Sequence, residues 1–128
     1  MKYQEYYIAD SNGKSNCVIR SLCKILNKEY SEVFDDLCLY AKKLNLSSFN
    51  ETEVFEKYMN DNNIHKIDVT DNIKIKDLNL DKGEYIVLCY DKKDYYHMVC
   101  IIDNILYDKS DNSLELYVIN VYKKTINL

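Results

Sequence analysis

A chain of 128 residues and 15.2 kDa, 47% hydrophobic and 30% charged, is long enough for a single sizeable core and too apolar for disorder. Its net charge of −4 and pI near 5.2 supply no basic stripe, which excludes a nucleic-acid backbone as the partner. No apolar run approaches a membrane span, and "MKYQEYYIAD" lacks the apolar region of a signal peptide, so a cytoplasmic protein with reduced thiols and no membrane partner is expected.

Residues 1–15 begin with tyrosines and pass into a polar loop, "DSNGKSN". From Asn16 to Asn27, Val18, Ile19, Leu22, Ile25 and Leu26 recur at helical spacing. A second helix is predicted after Ser31, with Val33, Leu37, Tyr40, Ala41 and Leu44 on one face. Its acids come first and its bases last, as the helix dipole prefers. For a third helix Asn50 is the predicted cap, Glu53 closes a capping box, and Phe49 staples onto Val54. Val54, Phe55, Tyr58 and Met59 face inward. Beyond it the period changes. Residues 64–69 alternate weakly, and 73–80 fit either a short helix or an extended connection. Segments 84–90, 96–102, 105–108 and 114–122 are rich in β-branched and aromatic residues, with turns short enough for antiparallel neighbours. With only two glycines and no proline, those turns fall to Asn, Asp and Lys. The pattern predicts one α+β domain over 1–128: about three N-terminal helices packed on an antiparallel sheet of about four to five strands. The 114–122 strand is expected at an edge, free to pair with another chain.

Five cysteines are present, and four lie in apolar, periodic surroundings where Cys acts as a small hydrophobe. Cys17 falls opposite the apolar stripe of its own helix, in the first turn, where free N–H groups and the helix dipole favour a thiolate. The same N–H groups can hold the oxyanion of an acyl intermediate. The alternative is a free cysteine that merely begins a helix. No zinc-ligand spacing is present, so neither metal nor cofactor is expected.

Of the two histidines, His65 reads as a half-exposed strand residue. His97 opens the apolar strand "HMVCII" beside a charged turn, where an imidazole stays reachable on rigid backbone; otherwise it is a core histidine bonded to a carbonyl. An imidazole acting as a base needs a group to fix its tautomer. Folding 96–102 back at Asp103-Asn104 brings position 108 opposite 99, beside His97. Asp108 is therefore the preferred orienter, against the alternative of a strand-ending acid, with Asp111 and Asn120 as weaker candidates.

A cysteine at a helix start, two further helices, a strand opening with His and a neighbour supplying Asp resemble the papain-like cysteine peptidase superfamily. More narrowly, "GKSNCVIRSLCKIL" with "HMVCIIDNILYDKSDNS" resembles small phage and prophage proteins that carry a "DCVIRAL"-like helix and a His…Asp hairpin. The resemblance spans essentially the whole chain, in order. It implies a papain-like fold with Cys17 as nucleophile, His97 as general base and Asp108 as orienter. It also implies a Gln or Asn side chain in the oxyanion hole just ahead of the cysteine. No Gln stands there; Asn12 is the nearest residue, with Asn16 and Gln4 behind it.

The expected activity is thiol acyl transfer, as a peptidase, isopeptidase or amidase acting in a bacterial cytosol on a protein, peptide or small amide, including a host protein if the chain is phage-encoded. The alternative is a papain-like scaffold without turnover that binds or inhibits a host defence protein. Its motive is the missing glutamine and the tyrosine-rich, acidic surface.

Overall fold

Helix α1 spans Cys17–Leu26 and is bounded by asparagines at both ends. In the computed structural model, which describes residues 1–93 and 95–126, the Asn16 side-chain oxygen accepts the Val18 and Ile19 N–H groups at 2.9 and 3.3 Å. Asn27 closes the helix in the left-handed region, at φ 54°. Asn45, Asn63, Asn72, Asp103 and Asn104 adopt positive φ as well, so Asn and Asp make the turns that glycine makes in other chains.

Helix α2 (Tyr30–Lys43) starts earlier than predicted. Its cap is Glu29, whose backbone N–H is accepted by the Glu32 carboxylate at 3.4 Å. Helix α3 (Thr52–Asp61) is capped by Glu51 rather than Asn50. Phe49, in the loop ahead of α3, stacks edge-on against Phe34 of α2, with ring centroids 5.4 Å apart, and packs on the core cluster that includes Val54.

The strands are β1 (Lys2–Glu5), β2 (Ile64–Ile67), β3 (Glu84–Tyr90), β4 (Tyr96–Ile102), β5 (Ile105–Asp108) and β6 (Tyr117–Lys124). They form one six-stranded sheet in the order β1-β5-β4-β3-β6-β2, antiparallel except for the β1–β5 pair. The protein is therefore α+β, with three helices and a mostly antiparallel open sheet. Strand β1 adds one strand to the expected number. β6 is interior rather than an edge, and Leu114 and Glu115, expected to begin its strand, belong instead to a 3-10 turn at Asp111–Glu115. The ambiguous 73–80 segment is extended apart from a 3-10 turn at Ile75–Asp77. Of the predicted turn at 91–94, Asp94 lies outside the described residues, as do positions 127 and 128 of the expected domain.

Two apolar layers sandwich the sheet. On one face Val18, Ile19, Leu22 and Ile25 of α1 join Val33, Leu37, Phe55 and Met59 against Ile86, Met98, Cys100 and Tyr122. Each fully buried aliphatic side chain there contributes about 1.5–3 kcal/mol. The opposite face holds Val87, Cys89, Val99, Ile101, Leu106 and Val121, covered by Ile75 and Leu78. Between β3 and β6 the register slips: Leu88 pairs with Asn120 but Cys89 with Val118. Ile119 is the extra residue of a β-bulge, so Val118 and Val121 share a face although they are three apart.

Candidate active site

The start of α1 meets the start of β4 and the end of β5. The β4–β5 register, Cys100 opposite Tyr107 and Ile102 opposite Ile105, is the one expected from a tight turn at Asp103-Asn104. It brings His97 and Asp108 together, with His97 Nε2 2.7 Å from Asp108 Oδ2. Nδ1 is then the ring nitrogen left for chemistry. The Tyr95 hydroxyl stands 3.4 Å from Nδ1, and the Tyr95 ring stacks on the imidazole. The His97 backbone is fixed as well, its carbonyl accepting the Cys89 thiol at 3.2 Å.

The second carboxylate oxygen, Asp108 Oδ1, accepts from Arg20 Nη2 at 3.0 Å and from the Lys109 backbone N–H at 2.8 Å. Arg20, on α1, is 2% exposed and Asp108 likewise 2%. Arg20 Nη1 donates to Ser15 Oγ at 2.9 Å, and Ser15 donates to the Ile8 carbonyl at 2.6 Å. Arg20 and His97 thus flank one buried carboxylate, whose desolvation is offset by hydrogen bonds on both of its oxygens. The buried Ser113 hydroxyl, without a partner of full hydrogen-bonding geometry, is a further dipole acting on the carboxylate.

Cys17 is half-buried and lines the same cleft as His97, of about 560 Å³. Burial pushes its thiol up. The influence of His97 across the cleft, then the Met98 backbone and the Arg20 charge, outweighs burial and holds the thiol below its ordinary value of 9.0. For His97 burial works downward, but the Asp108 hydrogen bond, then Cys17, push the ring up from 6.5 to about 9. Burial also raises Asp108, and the His97 interaction outweighs it, holding the carboxyl below its ordinary 3.8. All three shifts favour one state: thiolate, imidazolium and carboxylate.

The helix start also has a donor to spare. The Asn16 carboxamide oxygen takes the Val18 and Ile19 N–H groups, and the Asn16 carbonyl takes that of Arg20 at 2.8 Å. Among the described residues nothing accepts the Cys17 N–H. Asn16 itself lines the cleft, and with its oxygen committed to the cap its amide N–H groups remain.

The other sequence candidates fall elsewhere. Asn12 is a correction: it is exposed in the 10–14 turn, its backbone N–H bonded to Asp10 Oδ1 at 2.8 Å, and it does not line the cleft. That turn is held by Asp10, which also takes the Lys14 N–H, and it points Asn12 to solvent. Gln4 is exposed on β1, where its side chain bonds the Glu5 carbonyl. His65 is exposed on β2, with Nδ1 2.9 Å from Asn60 Oδ1. Asp111 is exposed at the start of its 3-10 turn, and Asn120 lines the cleft rather than standing behind His97. Sequence reasoning missed Arg20 and Tyr95. The available signal for Arg20 was a cation one turn after Cys17 on the same helix; Tyr95 had none.

Compared with protein-family models, curated proteins and solved structures, the chain matches none of them.

Proposed function

We propose that the protein is a thiol-dependent acyl hydrolase, a peptidase, isopeptidase or amidase, in which Cys17 is the nucleophile, His97 the acid and base, and Asp108 the group that orients His97. The observation that carries this is the buried Arg20–Asp108–His97 chain, lining one cleft with a half-buried thiol whose pKa is lowered. A purely structural cysteine has no need of a fixed, positively charged imidazole at its side.

In this reading the Cys17 thiolate adds to a carbonyl carbon, and the oxyanion is held by the Cys17 N–H and the Asn16 amide N–H. His97 gives its Nδ1 proton to the departing amine as the tetrahedral adduct collapses to a thioester. Neutral His97 then takes a proton from water, whose hydroxide displaces Cys17 as thiolate and frees the acid. Throughout, Asp108 holds the imidazole by Nε2 and balances its charge, while Arg20 keeps the carboxylate ionised.

The test needs no knowledge of the natural substrate. With p-nitrophenyl acetate, the expected result is a burst of nitrophenolate, an acetyl group on Cys17 by mass spectrometry, and continued release. Cys17→Ala should abolish the burst. Acetylation that persists without turnover would instead favour the reading of a scaffold that binds without hydrolysing, and no acetylation at Cys17 would refute both nucleophile and mechanism.

A further inference from the structure

Ile119 and Asn120 are neighbours in a strand, where alternation should send them to opposite faces, yet both line the cleft that holds Cys17. The β-bulge at Ile119 is the cause: the slip between Leu88 and Cys89 re-aims the chain and brings Asn120 onto the cleft side. The carboxamide is also held from behind. Asn120 Nδ2 donates to the Tyr122 hydroxyl at 3.3 Å, and Tyr122, buried, donates to Glu56 Oε2 at 2.6 Å. Lys66 Nζ lies 3.2 Å from that same oxygen. A relay from β2 and α3 through a buried phenol thus fixes which end of the amide faces Tyr122, leaving Oδ1 as an acceptor. Among the described residues Oδ1 has no hydrogen-bond donor. Around it the cleft is apolar, with Phe55, Leu88 and Ile119 in the wall, and His97 is its one ionisable group besides Cys17 and Tyr96.

We propose that Asn120 is a substrate-binding residue: its carboxamide oxygen accepts the backbone N–H of a peptide unit in an extended, uncharged segment whose apolar side chain rests on Phe55, Leu88 and Ile119. This rests on the thiol chemistry proposed above and names its substrate class as a neutral peptide rather than a charged one. A charged side chain entering this wall would lose its hydration without gaining a counter-ion, whereas a secondary amide gains a partner already oriented. Tyr122 touches no substrate and acts as a positioning residue.

The experiment compares rates of Cys17 alkylation by acetyl-Leu-Ala chloromethyl ketone and by iodoacetamide, which is too small to use the wall. In the first reaction the thiolate electron pair forms the S–C bond at the methylene carbon. The C–Cl bond breaks, and chloride leaves with its electrons. The peptide-to-iodoacetamide rate ratio should fall about fivefold to tenfold in Asn120→Ala, the worth of one hydrogen bond, and by less in Tyr122→Phe. A probe with N-methylated peptide nitrogens should lose a similar factor with the unaltered protein and nothing further with Asn120→Ala. A Lys-Ala probe should be slower than Leu-Ala. The N-methyl comparison on the unaltered protein stands even if a variant fails to fold. An unmoved ratio in Asn120→Ala, an N-methyl probe as fast as its parent, or a faster Lys-Ala probe overturns the proposal. If these occur while iodoacetamide alkylation still depends on His97, only the peptide-binding wall is wrong. If alkylation is indifferent to His97, the thiol chemistry and this inference fall together.

Discussion

Removing the imidazole should change how Cys17 reacts. In His97→Ala the thiol keeps the burial that raises its pKa and loses the adjacent imidazole and its positive charge, the influence that lowers it most. At its ordinary value of 9.0 a thiol is ionised to only about one part in a thousand at pH 6, and burial reduces this further. In the unaltered protein the lowered thiol pKa leaves a larger ionised fraction at that pH. The gain is partly offset, because a less basic thiolate attacks more slowly, with a Brønsted slope of about 0.4–0.5. Each tenfold gain in ionised fraction therefore yields about threefold in rate. Iodoacetamide alkylation at pH 6, followed at Cys17 by peptide mass spectrometry, should be about threefold or more faster than in His97→Ala. The ratio should shrink as pH rises, reaching unity or inverting where the variant's thiol ionises. Parallel pH profiles for the two proteins, both rising as an ordinary thiol does, would refute the paired-ion reasoning.

Arg20→Ala leaves the Asp108 carboxylate short of one buried cation and should cost about 3–5 kcal/mol in urea unfolding; a cost below about 1 kcal/mol would mean that the pair is solvated. Asn16→Ala should lose about 1 kcal/mol of helix capping and slow p-nitrophenyl acetate acylation by up to about 100-fold, while leaving iodoacetamide alkylation much less affected because that reaction forms no oxyanion. The pH dependence of stability separates the charged groups. His97, raised to about 9, contributes fully below 6.5 and loses that contribution as pH rises through 9. Cys17, lowered from 9.0, contributes fully above 9.0 and loses it as pH falls through its folded value, so between that folded value and 9 the two offset each other. Unfolding free energy should thus fall less steeply as pH approaches 9 than it does in Cys17→Ala, which should lose stability steadily as pH rises above 6.5. Asp108, lowered from 3.8, should add an acid limb, its contribution complete above 3.8 and lost as pH falls through the lowered value.

What could be read in advance was whatever depends on nearby residues. The apolar spacing of Val18, Leu22 and Ile25 and the flanking asparagines specify α1, and Asp103-Asn104 between two apolar runs fixes the β4–β5 register that joins His97 to Asp108. What could not be read depends on partners distant in sequence. The residues of β1, "KYQE", have no apolar alternation and are a strand only because β5 offers a parallel edge. The bulge at Ile119 belongs to the β3–β6 pairing, so alternation counted along 114–122 runs out of phase before the strand is half complete. Arg20 looks like a solvated charge on a helix until α1 is laid over the end of β5. The helix starts were misplaced by one or two residues because Glu29 and Glu51 cap where Ser31 and Asn50 had the better propensity.

The central claim is that His97 is held as an imidazolium between a thiolate and a buried carboxylate. The most direct measurement is the nitrogen NMR spectrum of the His97 ring across pH, in the unaltered protein and in Cys17→Ala. The account predicts both ring nitrogens protonated at neutral pH, a transition near 9, and a transition moved downward when the thiolate is removed. A ring that is neutral at pH 7 and titrates near 6.5 in both proteins would contradict it.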